Sequence, residues 1–530
     1  MCGIHAVISP SSSCSSLQEL SPDLHQNLLN RGPDYLGQVT RFSSNNAWTL
    51  QFTSTVLALR GDHVTKQPLH DANGGDDGSV LCWNGEAWRF NGGVINEHEN
   101  DGEVIFRELS KARTEEEVMG VWRGCEGPFA FVYFWGGVVL GSIADGGGDW
   151  EEVEADGIYS LGLGGEGEIR RHEWIVGGEE FVSSIGVFNK ALPSPCGEIP
   201  LTSASPSVQA LKEQLVESLR LRVLNIPKPP SSGTGKIRVA VLFSGGLDCT
   251  ALARLCHDIM EPDQEIDLLN VGFENPRVVA QLKKDAKGKE VDFYEACPDR
   301  ITGRKSFAEL RSVCPGRVFR FVAVNVPYSE TQAHRQQVIS LIHPHNTEMD
   351  LSIACALYFA ARGQGWVTTE QTSSPASESS PVSYTSPARA LLSGLGADEL
   401  FGGYSRHPAA FQRDGYAGLV DELLLDVRRL GKRNLGRDDR VMAHWGKEVR
   451  FPFLDERLVK WAIATPAWEK CDFENGEEKS GVEAGKRVLR LLATELGMEG
   501  VAKEKKRAIQ FGSRTAKMES GRVKGTTLLS

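Results

Sequence analysis

Thirteen residues, Arg238-Val-Ala-Val-Leu-Phe-Ser-Gly-Gly-Leu-Asp-Cys-Thr250, restrict the fold of this chain more than any other stretch. Residues 237–243 are rich in branched and aromatic residues with little alternation, the pattern of a parallel strand buried on both faces. Gly245 and Gly246 then allow a tight turn and close approach to a ligand, and Ala251 to His257 has helical composition. A strand running through a glycine turn into a helix aims backbone N–H groups and a helix N-terminus at an anion, and an oligophosphate is the natural guest. No Gly-Lys-Ser/Thr follows at Walker spacing, and the dinucleotide pattern G-x-G-x-x-G is absent.

The 530 residues exceed what one core supports and predict two to four domains. A formal charge of −12 disfavours non-specific binding to nucleic acid or anionic membrane, which leaves small molecules and a metal as the expected ligands. Eleven cysteines without a C-x-x-C pair point to free thiols in a reducing compartment, here the cytoplasm. The first ten residues lack a basic leader. Pro128 to Ala144 is uncharged, but Gly136-Gly137 divides it, so a buried hairpin is expected rather than a spanning helix.

A second chemical signal stands at the start. Cys2 follows Met1, and removal of that methionine would put a thiol and a free α-amine on one residue. With a thiol pKa of about 8.5 and an amine of about 7.7 to 8, the amine accepts the thiol proton near neutrality at little cost.

Downstream stand Arg31-Gly-Pro-Asp34, Gln67-Pro-Leu69, Asn84-Gly-Glu86 and Asp101-Gly-Glu-Val-Ile105. Together with Met1-Cys-Gly-Ile4 these resemble, in order, the glutaminase domain of class II glutamine amidotransferases of the asparagine synthetase type. Ser244-Gly-Gly-x-Asp248 resembles the pyrophosphate loop of ATP pyrophosphatases, and Ser393-Gly-Leu-Gly-Ala-Asp-Glu399 resembles the second synthetase motif. Asn434 to Arg440, Glu448 to Asp455 and Gln510 to Arg514 extend the match, most strongly to a subgroup of asparagine synthetase domain-containing proteins.

The resemblance implies an α+β N-terminal-nucleophile domain, an αββα sandwich, over 2–204. An α/β domain with a parallel sheet of the ATP pyrophosphatase (PP-loop) type would follow over 205–530, with 372–387 a disordered loop. It implies that Cys2 attacks the glutamine amide, with the Asn84 side chain and the Gly85 N–H as oxyanion hole and Glu86 and Asp101 on the α-amine. The family's carboxylate-binding arginine falls on Val56, and Arg60 is the nearest candidate. ATP would meet Leu242, Ser244, Gly245, Gly246, Asp248, Cys249, Val271, Ser393 and Gly394. Asp248 and Asp398 would hold Mg²⁺, and Lys506 and Arg507 would neutralise pyrophosphate.

Two further positions depart from the family. Leu395 stands where the family carries an acid thought to take a proton from attacking ammonia, and Cys249 replaces a serine of the loop. The segment from Asp350 to Ala356 also lacks the arginine and threonines with which the family binds aspartate. The leading expectation is glutamine-dependent, ATP-driven amide formation, with aspartate to asparagine as default. Amidation of another acceptor and a non-catalytic glutamine- or ATP-binding scaffold stay open, and a homodimer is compatible with each.

Overall fold

This computed structural model describes the chain apart from residues 1, 12–19, 44–45, 72–77, 136–152, 154, 156, 164–167, 176–180, 182–184, 195–199, 229–235, 288–290, 369–379, 434, 476–480, 519–523 and 530. Two compact units form. The first comprises 1–185, 225–227 and 443–448, and the second comprises 186–224, 228–442 and 449–530. Residues 186–204, assigned to the first domain from sequence, thus group with the second unit.

In the first unit, strands β1 (Gly3–Pro10), β2 (Tyr35–Phe42) and β3 (Trp48–Val56) form an antiparallel sheet in the order β1-β3-β2. A second antiparallel sheet joins β4 (Leu69–His70), β5 (Val80–Gly85) and a later strand, Phe129–Phe134, with β5 at its centre. The short strands β6 (Arg89–Phe90), β7 (Gly93–Val94) and β8 (Cys125–Glu126) make a third sheet, so that later strand is β9. Gly157–Leu161 (β10) and Ile169–Glu173 (β11) pair separately.

Alternation decides which face each side chain takes. Val80 and Cys82 of β5 and Val132 and Phe134 of β9 meet Ile4, Leu50 and Phe52 of the other sheet in one buried cluster. Leu81, Trp83, Phe131 and Tyr133 point the opposite way, onto α2 (Asp101–Leu109) and α3 (Glu115–Arg123) through Ile105, Leu109, Met119 and Trp122. Helix α1 (Pro22–Arg31) buries Leu24 and Leu28 and packs on β1 and β3. The layers therefore run helix, sheet, sheet, helix. β9 is the first strand of the expected hairpin at 128–144, and 136–144 lie outside the described residues.

In the second unit, helix α4 (Pro206–Val223) buries Val208, Leu211, Leu215, Leu219 and Val223, the stripe its helical spacing predicts. The central sheet begins with β12 (Ile237–Leu242), whose successor α5 (Leu247–Ile259) completes the strand, loop and helix read from sequence. β13 (Glu265–Phe273) lies parallel on one side of β12, with β14 (Phe319–Val326) parallel beyond it. On the other side lies a short parallel strand, Ala390–Leu392, followed by Glu448–Arg450.

The expected parallel sheet is present in β12, β13, β14 and Ala390–Leu392, and the whole sheet is mixed. Gln364–Thr368 (β15) runs antiparallel to β14, and Pro381–Thr385 (β16) runs antiparallel to β15. This makes Ala390–Leu392 β17 and Glu448–Arg450 β18 of the seven-stranded sheet. β16 also corrects the expectation of a disordered loop over 372–387, of which 372–379 lie outside the described residues. Tyr384 anchors the strand: its hydroxyl donates to Asp267 Oδ2 at 2.8 Å, and Arg320 lies 5.0 Å from its ring centroid. That contact joins residues 117 apart, which no local composition signals.

Residues 291–294 form no strand, and a turn begins at Phe293. The Asp292 carboxylate accepts from the N–H groups of Tyr294 and Glu295, a local closure that competes with strand pairing.

Helices α6 (Pro276–Asp285), α7 (Pro298–Val313), α8 (Tyr328–Ile342) and α9 (Glu348–Arg362) flank the sheet, α9 ending on left-handed Gly363. Then come α10 (Ala397–Phe401), α11 (Arg406–Arg433, broken at Asp414 and Gly415), α12 (Leu435–Ala443) and α13 (Glu456–Ala464). Because β13 and β17 flank β12 on opposite sides, the crevice at the carboxyl ends of β12 and β17 lies at a topological switch point. Open α/β sheets bind ligands at such points. No described helix is long and apolar enough to cross a membrane.

Candidate functional site

The first unit gathers Cys2, Arg60, Gly85, Glu86 and Asp101 around one small cavity. Cys2 leads into β1, and Arg31 Nε holds its carbonyl at 3.1 Å. Next to it, Gly3 N–H donates to Thr55 Oγ1 at 3.1 Å. Burial pushes the Cys2 thiol above its ordinary range. Gln67, read from sequence as part of a motif but given no role, places Nε2 at 4.0 Å from Cys2 Sγ while its Oε1 accepts from Trp83 N at 2.8 Å.

Gly85 has φ of +146°, and a Cβ there would lie 2.3 Å from Pro128 O, so only glycine fits. Arg60 Nη1 lies 3.4 Å from Glu86 Oε2, its Nη2 donates to Ile95 O at 2.9 Å, and its buried Nε has no hydrogen-bond partner among the described residues. Asp101 Oδ2 accepts from Ala87 N at 2.8 Å and Trp83 Nε1 at 3.1 Å, and burial raises its pKa. Asn100, not Asp101, caps α2. Asn84 is buried, its Oδ1 has no hydrogen-bond partner among the described residues, and it does not line the cavity.

The second unit holds a cavity of about 460 Å³ at the switch point. Leu242, Ser244, Gly246, Asp248, Cys249, Val271, Ser393, Gly394, Asp398, Lys506 and Arg507 all line it. Gly245, expected among them, does not. Its φ is +82°, a Cβ would lie 2.5 Å from the Gly303 backbone, and its carbonyl accepts from Ser306 Oγ at 2.6 Å. It shapes the loop against α7. Gly394 brings the second loop against the first, for a Cβ there would lie 2.7 Å from Asp248 Cβ. The Cys249 thiol turns inward, 3.4 Å from Gly246 O and 3.7 Å from Ser244 Oγ.

Lys486 organises this cavity, and sequence reasoning missed it. Its Nζ lies 2.9 Å from both Asp248 oxygens and 2.8 Å from Asp398 Oδ1, and Lys506 pairs with Asp398 Oδ2. Burial pushes the Asp398 carboxyl up, but the two ammonium groups outweigh it and hold it well below the usual carboxylate range. Burial likewise pulls Lys486 down, and the two carboxylates reverse this and raise it. Asp398 stays ionised.

Two carboxylates that meet one ammonium can also meet one hard cation, so the donor set fits a Mg²⁺ shared with phosphate oxygens. Among the described residues no group of three or more His, Cys, Asp or Glu could hold a metal ion. Substrate oxygens would therefore complete the coordination.

Arg507 lies 3.5 Å from Asp299 Oδ1 and 3.4 Å from Thr302 Oγ1, both on α7. Burial chiefly raises the Asp299 pKa to about 7. In the unfolded chain the same group titrates near 4, so between about pH 4 and 7 the folded state binds the extra proton. Its contribution to stability is full below about pH 4 and is lost as pH rises through about 7. Thermal unfolding of wild type and Asp299→Asn across this window should show the variant's melting temperature falling less with pH. Equal slopes would contradict the assignment.

A glycine loop at the switch point, faced by a second loop that supplies an acid, lines one cavity of an α/β unit. The family described as asparagine synthase matches residues 412–526, so this unit carries an asparagine-synthase-type domain of the PP-loop kind. Asparagine synthetase domain-containing protein 1 of Gallus gallus is 32% identical, covering 99% of this chain and 98% of the relative. An asparagine synthetase domain-containing protein of Saccharomyces cerevisiae is 33% identical, covering 94% and 89% respectively. A putative glutamine-hydrolysing asparagine synthetase 1 of Methanocaldococcus jannaschii is 35% identical over 24% of this chain and 28% of its own. The chain belongs to the asparagine synthetase domain-containing protein 1 family.

Proposed function

We propose that the chain is a glutamine-dependent, ATP-driven amide-forming ligase, with an N-terminal-nucleophile glutaminase in the first unit and an adenylating site in the second. What carries this reading is the array of Asp248, Lys486, Asp398 and Lys506 facing the Ser244 to Asp248 loop. Two acids under two ammonium groups suit a metal-bound triphosphate whose pyrophosphate leaves as an anion. The relatives' names, asparagine synthetase among them, agree with this chemistry.

In the first unit, Cys2 Sγ attacks the side-chain amide carbon of glutamine and ammonia leaves as the thioester forms; water then releases glutamate. The Gly85 N–H and the Asn84 side chain are the proposed oxyanion donors, with Glu86 and Asp101 on the substrate ammonium. Arg60, whose buried Nε lacks a hydrogen-bond partner among the described residues, is the proposed carboxylate ligand. In the second unit, an acceptor carboxylate oxygen attacks the α-phosphorus of ATP and the bond to pyrophosphate breaks. Ammonia then displaces AMP from the acyl carbon, a C–N bond forms and a proton is lost. Ser393 and Gly394 contact the nucleotide, and Lys506 and Arg507 meet the departing pyrophosphate. Bound to Asp248 and Asp398, Mg²⁺ would neutralise phosphate charge.

An acceptor other than aspartate is favoured by one observation. Leu395 lines the cavity together with Met349, Ile353 and Leu357, spaced four residues apart on α9. That wall is apolar.

Pyrophosphate release from ATP should require a carboxylate, and glutamine and ammonia should each supply the nitrogen. Tight binding of ATP with no release for any carboxylate would favour the scaffold instead.

A further inference from the structure

The second unit contains another cavity, of about 160 Å³, between α8, α9 and the segment that follows Gln510. Thr331 and Arg335 line it from α8, and Ser352 and Cys355 from α9. Met349 and Gln510 line both this cavity and the larger nucleotide cavity, so the two are neighbours that share part of their wall. Met349 is 45% exposed and Phe511, on the opposite wall, 56%. Large apolar side chains held open to solvent around a concave surface mark a place where an apolar body binds.

The charges are unbalanced in the same place. Glu348 faces Arg335 at 3.8 Å, but Lys517 and Lys524, which also line the cavity, have no carboxylate partner among the described residues. Such a wall favours a ligand with an apolar stem ending in an anion. A four-carbon acid such as aspartate would have no use for it.

We propose that this cavity receives the far end of the acceptor, an elongated acid with an apolar stem and a distal carboxylate. Its reacting carboxylate lies in the nucleotide cavity, its stem passes Met349 and Gln510, and its distal group sits between Lys517 and Lys524. The near end becomes the amide and the distal carboxylate leaves unchanged. This assignment rests on the reading that the second unit adenylates a carboxylate.

The test follows pyrophosphate release from ATP with ammonium chloride as nitrogen source, comparing aspartate, succinate, pimelate and suberate. Wild type should favour pimelate and suberate over succinate and aspartate by about tenfold or more in kcat/KM. Lys517→Glu with Lys524→Glu should raise KM for the long diacids about tenfold and leave KM for ATP unchanged, since reversed exposed charges act on the group they face. Equal use of aspartate and the long diacids, or an unchanged KM in the double variant, would overturn the proposal. If no carboxylate supports release, calorimetry with suberate and a non-hydrolysable ATP analogue separates the two ideas. Binding lost in the double variant keeps the cavity as an anion site and removes only the adenylation reading, and absence of binding removes both.

Discussion

Cys2→Ala is expected to abolish pyrophosphate release driven by glutamine, by about 10³-fold or more, and to leave release driven by ammonia within a factor of two. Removing a nucleophile deletes a whole covalent route rather than one hydrogen bond. The sparing of the ammonia reaction follows from the separation of roles, because the array of Asp248, Lys486 and Asp398 lies in the other unit. Cys2→Ser should behave alike: a hydroxyl at this buried position is harder to ionise than the thiol, whose own pKa burial already raises. Parallel steady-state assays with the two nitrogen sources check this. An equal loss with both sources would mean that Cys2 supports the fold, and no loss with glutamine would remove the thiol from the chemistry.

Lys486→Met should produce the largest change in the second unit, in stability as well as in rate. The ammonium is buried between two carboxylates at 2.8 to 2.9 Å, and its removal leaves those acids facing each other with only Lys506 to compensate. Breaking a buried charge cluster from one side costs about 3–5 kcal/mol. Loss of a preorganised cation at the departing pyrophosphate should add a drop of about 10²-fold or more in release. Adding Asp398→Asn should restore part of the stability, since it removes one unpaired charge, and should not restore the rate. Urea unfolding of the single and double variants, with release assays beside it, separates the two effects. Wild-type stability and rate in Lys486→Met would show that the array is incidental.

The parts of the fold that sequence exposes most clearly are those set by local pattern. Ile237–Leu242 and Leu247–Ile259 follow from an unbroken apolar run, two glycines and a helical composition. The α4 stripe follows from spacing, and the end of α9 from Gly363. What escaped depends on distant partners. β16 exists because Tyr384 finds Asp267 and Arg320 across the sheet, and no local feature of a Ser- and Pro-rich stretch announces that.

The site divides in the same manner. Motif residues such as Cys2, Glu86, Asp101, Ser244 and Asp248 meet at cavities because each sits at the end of a strand or the start of a helix. Lys486 precedes the helix Arg487–Glu495 with a left-handed φ of 53°, and before the fold is known it looks like any lysine at a helix start. Gln67 likewise becomes notable only when its two ends are seen to join Cys2 and Trp83. Gly245 misled in the other direction, because a glycine in a phosphate loop serves either the ligand or the neighbouring backbone, and here it serves α7.

The account rests most heavily on acyl adenylation in the second unit, and isotope transfer addresses that step alone. Suberate carrying heavy oxygen in its carboxyl groups, incubated with the protein, ATP, Mg²⁺ and ammonia, should yield AMP bearing one labelled oxygen, in step with pyrophosphate and the amide. Formation of ADP and phosphate, or of AMP without label while the amide accumulates, would contradict it.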